Sequence, residues 1–338
     1  MQPYKITELM GDGIAHELSK SVHTVISALP VKLEVEQIDL TLEARRKDAK
    51  HSYDAALSSM LKTAATIKYP TTTETDSPNK ILRERCKFSV IHRPCVSIPG
   101  VPTNFKKPID IDIVRVATGG TYDDAGRRIG LHSAVSVRVI ERLPCRQAAQ
   151  FAFQLAGKRG RNVISSSKYT IQKATDGLFE EAVDDVARSY SFIKHDRVLF
   201  DALLAQLAMA PESVQVVVCP NEYGDFLSDS AAGLVGSLGL ADSSSFAYRE
   251  DGSISMAMFD PAGGTAPDIA GKDLANPTAA LFALCSMLIY LGEVETGAKL
   301  KTAILDCIGE GKSTKDLGGP LGTQGFTAAV VEKFLAAK

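Results

Sequence analysis

Asp225 and Asp229 stand four residues apart in the stretch VVVCPNEYGDFLSD, residues 216–229. On a helix this spacing puts both carboxylates on one face. Two carboxylates at the end of a buried strand repel each other unless a positive group lies between them. A divalent cation held by oxygen ligands is one such group. The competing reading is that Asp225 caps a helix and Asp229 is solvated. Asp201 is a third acid that could join the set. Three arginines, Arg83, Arg93 and Arg115, fall at or near the ends of expected elements. Guanidinium forks grip carboxylates bidentately, so three together suit a ligand with two or three carboxylates. For any one alone, an ordinary ion pair is the stronger reading. Tyr122 and Lys168 are a candidate acid and base, because a lysine beside a bound cation has a lowered pKa and can accept a proton near neutrality.

The elements that must position these groups follow from pattern. Val216-Val217-Val218-Cys219 has the β-branched richness of a buried strand, and Pro220 ends it. Asn221, Gly224 and Asp225 supply turn and cap chemistry, with a helix expected over residues 226–238. At the start, residues 4–9 read as a strand running into Gly11-Asp12-Gly13 and a helix through Ile14, Leu18, Val22 and Ile26. That glycine turn is neither GxGxxG nor GxxxxGK[ST], so a standard dinucleotide or P-loop site is unsupported. Strands are also expected at 31–38, 64–68, 111–116, 133–140, 162–165 and 255–259. Helices are expected at 53–62, 146–157, 177–189 and 201–210, with two more at the end. Residues 70–79 read as a hydroxyl-rich loop, 123–128 as a polar turn, and the stretch after Gly239 as a Ser/Asp-rich loop. Strands alternating with helices imply an α/β fold with a largely parallel sheet.

Composition narrows the class. The chain has 338 residues, 45% apolar and 23% charged, enough for two domains or one large α/β unit with a well-buried core. A net charge of −2 gives no electrostatic reason to expect nucleic acid or an acidic membrane as partner. Six scattered cysteines without a CxxC pair read as reduced, mostly buried thiols in a cytosol-like, cytoplasmic setting. The N-terminal residues carry no recognisable targeting pattern. The longest apolar helix candidate, residues 279–291, is too short to span a bilayer.

Taken in order, GDGI, LRER…RPCVSIPG, VRVATGGTY, SSKYTIQKATDGLF, NEYGDFLSD, GGTAPDIAGKDLANPTAA and KDLGG resemble the β-decarboxylating dehydrogenases. This family includes isocitrate, homoisocitrate and 3-isopropylmalate dehydrogenases, and the resemblance covers nearly the whole chain. It implies a two-domain, non-Rossmann α/β fold of the isocitrate/isopropylmalate dehydrogenase type. Residues 1–95 with 237–338 would form one domain and 96–236 the other, in a homodimer or higher homo-oligomer with shared active sites. By resemblance Ser77, Asn79, Arg83, Arg93 and Arg115 bind substrate, while Tyr122 and Lys168 act as acid and base. Asp201, Asp225 and Asp229 would hold Mg²⁺ or Mn²⁺, with Lys168 and Asp201 reaching into the partner's site. Thr73, Gly263, Gly264, Thr265, Ala266, Pro267, Asp268, Ile269 and Asn276 take the nucleotide position. The carboxylate of Asp268 would accept ribose hydroxyls and repel a 2′-phosphate, which favours NAD over NADP.

Ser77 and Asn79 resemble the isocitrate branch, which meets an extra carboxylate there, and so does KYPTTTETD. TGGTY after Arg115 resembles the isopropylmalate branch. The resemblance therefore implies oxidative decarboxylation of a 2-hydroxy-3-carboxy acid, with isocitrate to 2-oxoglutarate the leading expectation. The alternatives are 3-isopropylmalate, homoisocitrate, tartrate or a related malate analogue, and a non-catalytic regulatory subunit. Departures from the family pattern are Ala15 and His16 for Gly and Pro, Gly263 for an adenine-packing histidine, Thr170 for an asparagine, and Val116-Ala117 for a polar pair.

Overall fold

Among the described residues the alternating pattern resolves into one ten-stranded sheet with helices on both faces. The computed structural model describes residues 3–74, 77–236 and 240–337. In chain order the sheet strands are β1 (Tyr4–Met10), β2 (Leu33–Asp39), β3 (Ala65–Lys68), β4 (Phe88–Val96), β5 (Asp110–Val116), β8 (Val163–Ser167), β9 (His195–Leu199), β10 (Val216–Cys219), β11 (Asp242–Tyr248) and β12 (Ile254–Pro261). Their order across the sheet is β2-β1-β3-β12-β11-β4-β5-β10-β8-β9. Both flanks are parallel, as expected. The centre is not: β12-β11, β11-β4 and β4-β5 run antiparallel. A separate hairpin, β6 (Arg127–Ile129) and β7 (Ser133–Val135), stands outside the sheet.

A strand covered on both faces needs apolar residues at both parities. In β5, Ile111 and Ile113 enter one hydrophobic cluster while Val114 and Val116 enter another. β10 splits in the same way, with Val216 and Val218 on one face and Val217 and Cys219 on the other. The same alternation puts Arg115 on the face of Ile111 and Ile113, beneath α7 (Asn221–Leu234). The first face is covered mainly by α1 (Ala15–Ile26), α4 (Arg142–Arg159), α8 (Thr278–Tyr290), α9 (Val294–Gly309) and α10 (Thr323–Ala336). The second is covered by α2 (Leu42–Thr63), α3 (Pro78–Arg85), α6 (Phe200–Met209) and α7. α5 (Thr175–Ala187) packs on α4 and β8. α8 is apolar on nearly every side and accordingly buried. Among the described residues no helix is long and apolar enough to cross a membrane. All six cysteines are free and buried, as expected.

Several local expectations need correction. The Ser/Asp-rich stretch after Gly239 is strand β11, in the middle of the sheet. Its Ser243, Ser244 and Ser245 are buried between two antiparallel neighbours, so long-range pairing overrides a local loop signal. The edge strand expected over 133–140 shortens to β7, and its partner β6 forms within part of the expected polar turn. α2 begins eleven residues before the expected helix at 53, with a non-helical break at Asp48. Among the described residues three α-helices rather than two follow residue 276. α7 starts at Asn221, directly after Pro220, so Asp225 lies inside the helix and is no cap. The expected end of that helix at 238, and the expected domain boundary at 237, lie outside the described residues.

Candidate active site

Arg83, Arg93, Arg115, Tyr122 and Asp225 line one cavity of about 350 Å³, with Ser77 and Asn79 from α3 and Asn221 from α7. The approach of α7 to β5 depends on Gly224. A Cβ there would meet the Arg115 Cβ at 2.6 Å, so any larger residue would lift the helix off the arginine. Arg115 ion-pairs with Asp225 and donates from Nε to Asn221 Oδ1 at 2.8 Å. Asn221 in turn donates to the Gly119 carbonyl at 2.9 Å, fixing the loop that carries Tyr122.

Asp225 and Asp229 do share one face of α7. The positive group between them is Arg93, whose Nη1 lies 3.3 Å from Asp225 Oδ1 and 3.1 Å from Asp229 Oδ1. The same nitrogen donates to Ser228 Oγ at 2.7 Å. Tyr122 donates its phenol proton to Asp225 Oδ2 at 3.1 Å.

The electrostatics follow from this crowding. Burial works to raise the Asp225 carboxyl, but Arg115, Arg93 and the Tyr122 hydrogen bond hold it below the usual aspartate range. Asp229 moves the other way, pushed up by burial and by Asp225 against the pull of Arg93. Burial and the Asp225 charge raise Tyr122, keeping it a proton-bearing phenol at neutral pH. Arg83 is pushed down to about 9, chiefly by burial and then by Arg115. A guanidinium does not give up its proton; the push measures how poorly its charge is compensated. Arg83 Nε, Arg93 Nε and Asn79 Oδ1 are buried without a hydrogen-bond partner among the described residues. The two orphaned guanidinium N–H donors in a cationic cavity call for an anionic acceptor, whereas Asn79 Oδ1 calls for a donor.

Lys168 and Asp201 are not in this cavity. Lys168 follows β8 and pairs with Asp201 at the start of α6, Nζ to Oδ1 2.8 Å. That hydrogen bond lowers the Asp201 carboxyl. Among the described residues no three His, Cys, Asp or Glu side chains come together to hold a metal ion. Within one chain, then, Asp225 and Asp229 are met by Arg93, and Asp225 also by Arg115, while Asp201 pairs with Lys168 instead.

The loop expected to take the nucleotide leaves β12 at Pro261. It rests on the opening glycine turn: Ile14 N donates to Thr265 O at 2.9 Å, and a Cβ on Gly13, at φ +59°, would strike that same carbonyl. Gly263 and Gly264 look onto open space, which gives a ligand room to approach the backbone. Ala266 sits at φ +38°, and Pro267 and Asp268 are exposed. Lys272 Nζ reaches the Asp268 carbonyl at 2.8 Å, while Ile269 turns the chain through its N–H to the Ala266 carbonyl. Asn276 is tied to Asp316 at 2.9 Å. Thr73 is exposed beside Thr72, whose N–H goes to Asp12. The loop is thus open and backbone-rich, with Asp268 exposed near its middle.

Four residues in these surroundings carried no expectation as site residues. Ser228 holds Arg93, and Lys80 crosses from α3 to the Tyr122 loop. Asp176, fully buried, accepts the Lys168 main-chain N–H on one oxygen and Arg138 on the other, both at 2.7 Å. Ser228 and Asp176 lie within segments quoted above for the resemblance, but Arg93, Arg138 and the Tyr122 loop reach their partners only through long-range closure.

Comparison with known proteins identifies the family. The family model described as isocitrate/isopropylmalate dehydrogenase matches residues 5–333. The chain is 35% identical to a mitochondrial NAD isocitrate dehydrogenase regulatory subunit of Dictyostelium discoideum, over 97% of this chain and 91% of that one. It is 36% identical to the 3-isopropylmalate dehydrogenase of Archaeoglobus fulgidus, over 96% and 98%. The crystal structure of isocitrate dehydrogenase from Methylococcus capsulatus superposes with a TM-score of 0.90 at 31% identity, covering 98% of this chain and 99% of that one. With its fold and its length both matched, the chain belongs to the isocitrate/isopropylmalate dehydrogenase family, whose chemistry is the oxidative decarboxylation of a hydroxy acid.

Proposed function

We propose that the protein oxidatively decarboxylates a 2-hydroxy-3-carboxy acid, isocitrate to 2-oxoglutarate in the first instance, with NAD as hydride acceptor and Mg²⁺ or Mn²⁺. The observation that carries this reading is the convergence of Arg83, Arg93 and Arg115 on one cavity, with two of their Nε atoms unpartnered. Three forks suit three carboxylates. Ser77 and Asn79 at the cavity wall are polar, which favours a substrate with a carboxylate there over one with a branched alkyl group.

Each residue then has a role. Arg83, Arg93 and Arg115 orient the carboxylates, and their charge favours the anionic substrate over water. Lys168 of the partner subunit takes the 2-hydroxyl proton on Nζ. Tyr122 returns a proton from its phenol oxygen to C3 after CO₂ departs; its raised pKa keeps that proton in place until it is needed. Asp225 and Asp229, with Asp201 of the partner subunit, are the cation's oxygen ligands. When bound, the cation supplies positive charge to the hydroxyl and carbonyl oxygen. Loop 263–276 and Thr73 receive the nucleotide, with Asp268 on its ribose. On this reading residues 1–95 and 237–338 belong to one domain and 96–236 to the other, in a homodimer whose sites are shared. Free buried thiols accord with a reducing, cytoplasmic setting.

The Dictyostelium relative's name favours a second reading, a regulatory subunit that binds ligand without turnover. Against it, Tyr122, Lys168 and all three aspartates are kept. Purified protein with Mn²⁺ should reduce NAD on isocitrate, in a panel that also holds 3-isopropylmalate, homoisocitrate and tartrate. Absence of NADH on every 2-hydroxy-3-carboxy acid would overturn the enzyme reading, and preference for another acid would reassign the substrate.

A further inference from the structure

Lys80 lies on α3 between Asn79 and Arg83, on the wall of the cavity. Its amine does not turn inward to the arginines. It crosses to the main-chain carbonyls of Tyr122 and Asp123, at 3.1 and 3.2 Å. Glu84, one turn further along α3, stands 3.8 Å from the same nitrogen. Two of the three ammonium donors thus go to successive carbonyls, and both bonds are charge-assisted; Glu84 adds only a longer ion-pair contact.

The loop it reaches is held unevenly. Up to Gly120 the backbone is fixed: Asn221 donates to the Gly119 carbonyl at 2.9 Å, and Gly120 exchanges main-chain hydrogen bonds with Val139 at 2.6 and 3.2 Å. Beyond it, Thr121, Tyr122 and Asp123 are exposed. Here the Asp123 carboxylate folds back onto the Gly119 N–H at 3.2 Å, a contact internal to the loop. The Lys80 contacts tie this exposed part to an element outside the loop. They join α3, which precedes β4, to a loop that follows β5.

We propose that Lys80 is a positioning residue: its side chain straps the cavity rim on α3 to the Tyr122 loop and so holds the phenol over Asp225. The strap makes the proton-donating step, more than substrate capture, sensitive to this side chain, because a misplacement of about 1 Å can cost about 100-fold in rate. The role of the phenol rests on the function proposed above; the strap itself does not.

The experiment uses the full-length protein as wild type, Lys80→Met and Lys80→Arg. Amide hydrogen exchange over residues 118–126, without substrate, should quicken about tenfold in Lys80→Met and return close to wild type in Lys80→Arg. In turnover, Lys80→Met should lose about tenfold or more in kcat with KM for the hydroxy acid within about twofold. Its exchange of the C3 proton of the 2-oxo acid product with solvent should fall in parallel, and Lys80→Arg should recover most of both. Unchanged protection of 118–126 in Lys80→Met overturns the strap. Faster exchange with a raised KM and an intact kcat overturns the positioning role and makes Lys80 a substrate-charge partner. If the wild type turns over no hydroxy acid, the functional reading fails, while the amide-exchange result still decides the strap.

Discussion

Lys168 and Asp201 face each other across 2.8 Å, and neither lines the cavity that holds Tyr122 and Asp225. Under the proposed function, in which Lys168 is the base and Asp201 a cation ligand, the site must be completed by a second chain. The test is complementation. Tyr122→Phe and Lys168→Met should each be inactive as purified homodimers. Mixed and reassembled, they should recover about a quarter of wild-type activity, since half of the dimers are hybrids and each hybrid rebuilds one of two sites. Recovery no greater than the sum of the parents would show that each chain works alone.

Asp225→Asn removes the charge that Arg115, Arg93 and Tyr122 all address. Metal-dependent turnover should fall by about 1000-fold or more. The substitution is nearly isosteric and Asp225 is about a third exposed, so stability should drop by only about 1–2 kcal/mol. Steady-state rates across a Mn²⁺ series, with urea melts alongside, separate the two effects. Full activity in the variant would remove Asp225 from the site.

Ser77 caps α3, accepting from the Lys80 N–H at 3.4 Å, and also lines the cavity. Ser77→Leu should therefore do two things. Loss of the cap costs about 1 kcal/mol. The leucine should lower kcat/KM for isocitrate by about 10-fold or more while sparing or improving 3-isopropylmalate. Equal loss on both acids would mean that the cap is all Ser77 provides.

For the nucleotide, Asp268→Ala should raise activity with NADP relative to NAD by about 10-fold, because a carboxylate no longer opposes the 2′-phosphate. An unchanged ratio of kcat/KM values for the two cofactors would detach Asp268 from the ribose.

One pH effect comes from residues outside the cavity lining. Asp112 on β5 is buried against His92, Arg159 and Arg161. Burial works to raise its carboxyl, but the His92 hydrogen bond and the two guanidiniums hold it below the ordinary aspartate value. A depressed folded pKa stabilises above the unfolded value of about 3.9, and the gain is lost as pH falls through the folded pKa. Asp112→Asn should thus destabilise by about 2–4 kcal/mol at pH 7 and converge on wild type in acid below both values. Urea titrations over that pH range would show a constant gap instead if the carboxylate charge is irrelevant.

The parts of this molecule legible in the sequence are those whose cause is local. Val216 to Cys219 announces a buried strand because both of its faces are apolar, and Asp225 with Asp229 announce one helical face because spacing alone decides it. The whole-chain resemblance then assigned roles that no single spacing could. What stayed hidden depends on partners far along the chain. β11 is rich in serine and reads as a loop until β4 and β12 bury it. β9, HDRVL, is polar because it lies at the edge of the sheet. Arg93 as the cation between the two aspartates, and Lys80 as a tie to the Tyr122 loop, exist only once β4 and α3 have been brought beside α7 and β5.

The sheet also bears on how the chain is made. Thr66 of β3 pairs with Met258 of β12, so the first three strands emerge from the ribosome long before their neighbour exists. At about 5–20 residues per second, the inner edge of β3 stays unpaired for on the order of ten seconds or more. An unpaired apolar edge of that lifetime is a template for other nascent chains. Whatever its catalytic fate, this protein passes through a period in which its N-terminal third needs shelter that only its own C-terminal third, or a chaperone, can provide.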